Sequence, residues 1–259
     1  MQSLKIVFIG LLAQFFLVDV ALGKGELHGP IRIASTTLGY DLQYWIYLPE
    51  EVRKPIPELY ITDGQVYLSA GEMVDLLDDE IENGKIAPIA AIFVDSRDPY
   101  DMTETRRNSE FMCKVDYAKF YIGELMPQIS SRWTGADAST RRGVMGVSFG
   151  AINSACFGMM MPGVFQVLIM HSPASSAHLD VINELYQEKP RNQSAIFVSH
   201  GGPQDNAIAA RRFVRTLEEK GYPIRYMTND GRHDWENWRP LLDDSLRAFA
   251  GLRAEDEIK

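Results

Sequence analysis

Apolar runs and helix-spaced apolar stripes alternate along most of this chain. Residues 31–34 and 42–48 read as two early strands, the second with Tyr44, Ile46 and Leu48 on one face. Glu58–Thr62 (ELYIT) is a short apolar run closed by the turn pair Asp63-Gly64. Apolar positions at helical spacing predict a helix over 66–77. The continuous run at 86–95 (IAPIAAIFVD) suits a central strand covered on both faces. A helix over 117–129, a strand at 143–146 and a small-residue helix after Phe149 come next, then strands at 164–170 and 194–199. Residues 206–220 place Ala210, Phe213, Val214 and Leu217 on one helical stripe, with Gly221 as the stop and Pro223 just beyond. A last strand at Ile224–Thr228 and a last helix over 239–250 complete the series. Strands separated by helices predict βαβ units, a mostly parallel sheet and a single α/β domain over 24–259.

The first 23 residues follow a different rule. Lys5 precedes a nearly uninterrupted apolar stretch at 6–18, and Ala21-Leu22-Gly23 sets small residues where a signal peptidase cuts. Thirteen helical residues reach roughly 20 Å, short of the roughly 30 Å hydrocarbon core. The segment is expected to be a cleaved signal peptide, leaving a mature chain from Lys24, exported and without a membrane span.

Composition narrows the function. Thirty-five acidic residues against 26 basic ones give a net charge of −9, and no basic run of five occurs, which argues against a nucleic-acid partner. The two cysteines, Cys113 and Cys156, are too few for a stapled scaffold or a thiolate zinc site. Export permits them to pair; two buried thiols acting as small apolar groups fit the sequence equally.

Gly146-Val147-Ser148-Phe149-Gly150 matches G-x-S-x-G, with a strand before it and a helix after. That context is what a nucleophile elbow requires: the turn is too tight for flanking side chains, and it presents the serine hydroxyl above the sheet. A hydroxyl needs a base. Of the five histidines, His233 in the loop between the last strand and last helix fits the α/β-hydrolase chain order Ser…Asp/Glu…His; His171 and His200 also end strands. Asp205, after the penultimate strand, is the expected acid, orienting the imidazole. It also suits a helix N-cap, and Asp230 is a rival. The expected oxyanion donors are the backbone N–H groups of Phe149 and Gln65.

These residues in this order resemble the putative-esterase family of α/β hydrolases, which includes enterochelin, feruloyl and acetyl-xylan esterases and S-formylglutathione hydrolase. TDGQVY, the Arg107–Glu110 pattern, FYIGELMPQI and especially GRHDWENWRPLL are similar to that family's segments, the last leaning toward its enterochelin-esterase branch. Ala151 stands where members commonly carry a second glycine. The resemblance implies an α/β-hydrolase fold and a serine esterase with Ser148, His233 and Asp205 as its triad and no cofactor. Some exported relatives rely on a Ser-His pair, which bears on Asp205.

Other features stay two-sided. Arg106, Arg107 and Glu110, in the polar stretch 96–111, suit either an anionic substrate or ion pairing. Trp235 and Trp238 flank the base and suit a pocket wall or, for Trp238, the core. Asn192-Gln193-Ser194 is a formal glycosylation sequon. No metal-ligand cluster or phosphate-cradling glycine loop is visible. The expected partner is a small-molecule ester. An acyltransferase on the same fold, or a ligand-binding relative without turnover, would share these motifs.

Overall fold

A computed structural model describes residues 24–50 and 54–252; the expected signal segment lies outside them. Ten strands are described. In chain order the elements open with β1 (Glu26–Ser35), β2 (Tyr40–Leu48) and β3 (Glu58–Thr62), followed by α1 (Gly64–Ser69), α2 (Met73–Glu82) and β4 (Ala90–Asp95). Next come the short strands β5 (Arg97–Asp98) and β6 (Asp101–Thr105), then α3 (Arg107–Glu110), α4 (Val115–Phe120) and α5 (Met126–Ile129). The second half holds β7 (Arg142–Val147), α6 (Phe149–Met160), β8 (Val167–His171), α7 (Ser176–Glu188) and β9 (Ala195–His200). It closes with α8 (Ala207–Glu219), β10 (Ile224–Thr228), α9 (Trp235–Trp238) and α10 (Leu242–Ala250).

Eight strands form one sheet in the order β1-β2-β4-β3-β7-β8-β9-β10. The β1–β2 and β2–β4 pairs are antiparallel and all later pairs are parallel. The five inner strands from β4 to β9 are apolar because both faces are covered. Within β3 the alternation splits the core: Tyr60 belongs to the cluster on one face that also holds Ile92, Val144, Ile152 and Phe213, while Leu59 and Ile61 belong to the cluster on the other that holds Phe93, Leu77 and Leu246. The predicted stripe Ala210, Phe213, Val214 and Leu217 is buried, and Gly221 takes φ +72°, where glycine ends a helix without strain.

Several boundaries depart from the expected ones, each for a local reason. The helix expected over 66–77 is two helices. At the break Glu72 is left-handed, and a Cβ on Gly71 would come within 2.6 Å of the Tyr67 carbonyl. The strand expected over 86–95 begins only at Ala90, since Pro88 cannot donate to a ladder and Ile86 bridges instead to Gly251. The helix expected over 117–129 starts at Val115 and continues through π-helical turns to Thr134, where Gly135 at φ +64° ends it. The polar stretch 96–111 holds the β5–β6 hairpin and α3. The last helix is preceded by α9 and a 3₁₀ turn, Arg239–Leu241, carrying Pro240. Helix α7, capped reciprocally by Ser175 and His178, has no counterpart among the elements the pattern predicts. Cys113 and Cys156 are disulfide-bonded, joining the segment after α3 to α6. Asn192 of the sequon is buried, its amide donating to the Gly158 carbonyl at 2.6 Å.

Candidate active site

Strand β7 ends at Val147, and the chain turns into α6 through Ser148, whose φ of +55° and ψ of −117° lie outside the ordinary regions for an L-residue. The turn is as tight as the motif requires. A Cβ on Gly146 would lie 2.2 Å from the Gly150 backbone, and one on Gly150 would lie 2.7 Å from Thr62 Oγ1. The Ser148 N–H donates to the His171 carbonyl at 2.8 Å, pinning the turn to the end of β8. Such strain persists where surrounding contacts over-determine it, and it holds the hydroxyl clear of the sheet.

Two other loops meet that hydroxyl. His233, between β10 and α9, sets Nε2 2.8 Å from Ser148 Oγ and Nδ1 2.5 Å from Asp205 Oδ1. A carboxylate only accepts, so Nδ1 carries the imidazole proton and Nε2 is left to accept from the serine hydroxyl. The loops carrying Asp205 and His233 are tied backbone to backbone, Gly202 N–H donating to the Gly231 carbonyl at 2.7 Å. A Cβ on Gly201 would sit 2.2 Å from that same carbonyl, so the approach needs glycine there. Asp205 is fully buried, and its Oδ2 accepts from Ser172 Oγ (2.5 Å), Gly201 N (2.5 Å) and Asn237 Nδ2 (2.8 Å). Its place before α8 is no N-cap: Asn206 holds that position. Asp230 is exposed, and Asp234 caps α9 through the Asn237 N–H at 3.2 Å.

The remaining histidines are occupied elsewhere. His171 is fully buried, with Nδ1 2.8 Å from Ser199 Oγ, and desolvation pushes it down to about 3. His200 spans the Gly201 carbonyl (2.5 Å) and the Tyr226 hydroxyl (2.6 Å). His178 caps α7 and packs edge-on to Phe149, with ring centres 4.6 Å apart. His28 stacks on Trp133 at 4.8 Å.

Ser148 lines a cleft of about 410 Å³ with Gln65, Arg107, Trp235 and Trp238 also in its wall. Phe149 opens α6 and Gln65 lies in the first turn of α1, where backbone N–H groups have no intrahelical acceptor. Trp235 packs edge-on to Tyr67 at 5.1 Å and to Trp238 at 5.5 Å, so its ring is fixed. Trp238 serves both readings: it is nearly buried, yet it lines the cleft. Arg107 is ion-paired, its Nε 2.7 Å from Asp63 Oδ2, and still reaches the cleft. Arg106 pairs with Asp98 and Glu110 accepts from the Tyr40 hydroxyl at 2.6 Å, so these two have structural partners. Asp63 is buried; burial raises its pKa, while Arg107 and the Ser96 hydroxyl (2.7 Å) pull it down. Sequence reasoning missed Asp63, Ser172 and Asn237, although two of them stand inside the segments TDGQVY and GRHDWENWRPLL. Among the described residues, no three His, Cys, Asp or Glu side chains are grouped as a metal ion needs.

A sheet of this order, with a strained serine at the end of a central strand and an imidazole brought to it from the last loop, defines the α/β-hydrolase class. The family model described as "Putative esterase" matches residues 35–249, and the chain belongs to that family, which places it among carboxylic ester hydrolases. It is 23% identical to the uncharacterized protein YjcH of Bacillus subtilis over 234 residues, covering 83% of this chain and 94% of that protein. It is also 23% identical to an iron(III) salmochelin esterase of Escherichia coli over 248 residues, covering 88% of this chain and 58% of the relative. The enterobactin esterase of Shigella flexneri, solved in the presence of enterobactin, superposes with a TM-score of 0.76 at 20% identity over 90% of this chain and 61% of that one. The BES protein of Bacillus cereus superposes at 0.71 with 15% identity over 96% and 100%. The chain thus spans about three fifths of the enterobactin and salmochelin esterases but nearly all of the two Bacillus proteins. Among the described residues no helix is long and apolar enough to cross a membrane.

Proposed function

We propose that this protein is an exported serine esterase. Ser148 Oγ attacks the ester carbonyl as His233 Nε2 takes its proton, and Asp205 holds the imidazole in the tautomer that can accept it. The Phe149 and Gln65 N–H groups receive the developing oxyanion. His233 returns the proton to the leaving alcohol, and water admitted to the same base then releases the acid from Ser148. The observation that carries this reading is the unbroken series from Ser148 Oγ to His233 (2.8 Å) to Asp205 (2.5 Å) beside an open cleft.

Arg107 and Trp235 supply the cleft with a cation and an aromatic wall, which suits an aromatic or anionic acyl group of siderophore or feruloyl type. Export is supported by the sequence of residues 1–23 and by the Cys113–Cys156 disulfide, a bond of oxidising compartments.

Side-by-side assays on p-nitrophenyl acetate, a feruloyl ester and a catecholate trilactone test the chemistry. Turnover of at least one is expected, falling by about 10⁴-fold or more in Ser148→Ala or His233→Ala. Full turnover in either variant would overturn the assignment. Sequencing the N-terminus of protein recovered outside the cytoplasm should return Lys24; retention of residues 1–23 would refute the cleaved-signal reading, and recovery of the protein in the cytoplasm alone would refute export.

A further inference from the structure

We infer that Ser172 is a positioning residue for the reaction, coupling Trp238 to Asp205 through one directed chain of hydrogen bonds. The inference rests on the proposed role of Asp205 and goes a step deeper into the same site. Ser172 follows β8 directly and is fully buried, with a φ of +47° that glycine would adopt more cheaply. A serine kept in that conformation directs attention to what its hydroxyl does.

The proton's direction is fixed by the neighbours. Trp238 Nε1 lies 2.8 Å from Ser172 Oγ, and an indole N–H only donates, so Ser172 accepts there. Asn237 Nδ2, at 3.4 Å, adds a second, weaker donor to the same oxygen. The hydroxyl proton therefore goes to the remaining acceptor, Asp205 Oδ2 at 2.5 Å. Both N–H donors polarise that O–H and strengthen its bond to the carboxylate. Asp205 in turn gives its other oxygen to His233.

Ser172 also sits where this matters for the nucleophile. Its N–H donates to the Ser199 carbonyl at 2.7 Å, and two residues on, Ala174 N–H donates to the Ser148 carbonyl at 3.3 Å. One loop thus braces the acid and the nucleophile together. By drawing charge toward Oδ2, Ser172 tempers the pull of Oδ1 on the imidazole proton and keeps the carboxylate aimed. The groups facing His233 are Asp205, the Ser148 hydroxyl and the edge-on Trp238 ring at 5.0 Å. Asp234 is engaged in capping α9, Arg232 is exposed beside it, and across the cleft Arg107 and Arg97 are paired with Asp63 and Asp95.

The experiment is a pH profile of kcat/KM on one p-nitrophenyl ester for the wild type, Ser172→Ala, Trp238→Phe, the double variant, Asp205→Asn and Ser148→Ala. Melting curves confirm that each is folded, and Trp238→Phe removes the N–H donor while leaving an aromatic ring in place should Ser172→Ala fail to fold. Ser172→Ala is expected to lose about tenfold in kcat with KM little changed, and the acid limb is expected to move up by about half a pH unit. Trp238→Phe should shift the limb in the same direction, and should add nothing to that shift once Ser172 is alanine. A limb that stays in place or moves down in Ser172→Ala, or that shifts further in the double variant, overturns the inference. Loss of activity in Ser148→Ala and Asp205→Asn beside an unmoved Ser172→Ala limb would sink this inference alone; full activity in Ser148→Ala would sink the reading beneath it.

Discussion

Arg107 Nε donates to Asp63 Oδ2 across 2.7 Å and 44 positions of sequence, locking the segment that opens α3 to the loop that follows β3. The pair sets a cation in the cleft wall and fixes the turn before Gln65 at the same time. It also leaves a buried carboxylate dependent on one guanidinium.

Removing that guanidinium should therefore cost more than a surface contact would. Arg107→Ala is expected to destabilise the fold by roughly 3 kcal/mol, because an uncompensated charge stays buried. Asp63→Asn in the same background should recover most of the loss, as read by denaturant unfolding. Burial raises the folded pKa of Asp63 above its ordinary value, so its contribution favours folding at low pH and fades as pH rises through the raised value. The Arg107→Ala penalty should accordingly shrink in acid. An equal penalty in the single and double variants would contradict this.

His171 gives a dependence of the opposite sense. Its folded value is held down to about 3 against about 6.5 when unfolded, so it stays neutral inside while the unfolded chain takes up a proton. Its contribution is complete above about pH 6.5 and is lost progressively as pH falls from there toward about 3, amounting to a few kcal/mol at the bottom. His171→Leu should flatten the melting temperature against pH between about 4 and 6. Parallel curves for the two proteins would show that other groups carry the acid sensitivity.

The disulfide closes a loop with a sequence separation of 43, worth about 4 kcal/mol by the chain-entropy estimate. Reduction, or Cys113→Ser with Cys156→Ser, should lower the melting temperature by several degrees or more. Because the bond joins the segment after α3 to α6, KM should rise more than kcat falls. Unchanged melting after complete reduction would refute the stabilising role.

Gly146→Ala should abolish activity and strongly reduce the folded yield, since its Cβ would land 2.2 Å from the Gly150 backbone, which has no room to withdraw. Gly84→Ala has open space around its Cβ, and only its φ of +63° opposes it, at a cost of about 1–2 kcal/mol. Activity is expected to survive there. Comparable damage from both would argue against steric control of the turn.

How much of this was legible in the sequence follows from where each signal resides. Glu58–Thr62 and Ile224–Thr228 appear with the expected bounds, because short β-rich runs between turn residues carry their own limits. Helix α7 is hard to see in the sequence although Leu179, Ile182 and Tyr186 recur at helical spacing; its exposed Val181 blurs the stripe, and its start depends on a Ser175–His178 cap that resembles no common box. The β5–β6 hairpin leaves no strand signal in the polar stretch 96–111 because its residues are polar and mostly exposed, and it is held by partners outside it, such as Asp95 on Arg97. Ser148, His233 and Asp205 stood out because chain order restricts them. Ser172 and Asn237 did not, since a buried serine or amide is defined only by which distant atoms surround it. Cys113 and Cys156 were equally open to two readings until their backbones were placed 4.9 Å apart.

The most direct measurement is covalent labelling of the enzyme with a fluorophosphonate, followed by intact mass and peptide mapping. The account predicts one adduct per chain, on the peptide holding Ser148, absent in Ser148→Ala and much slower in His233→Ala. An adduct on any other residue, or undiminished labelling of Ser148→Ala, would contradict it.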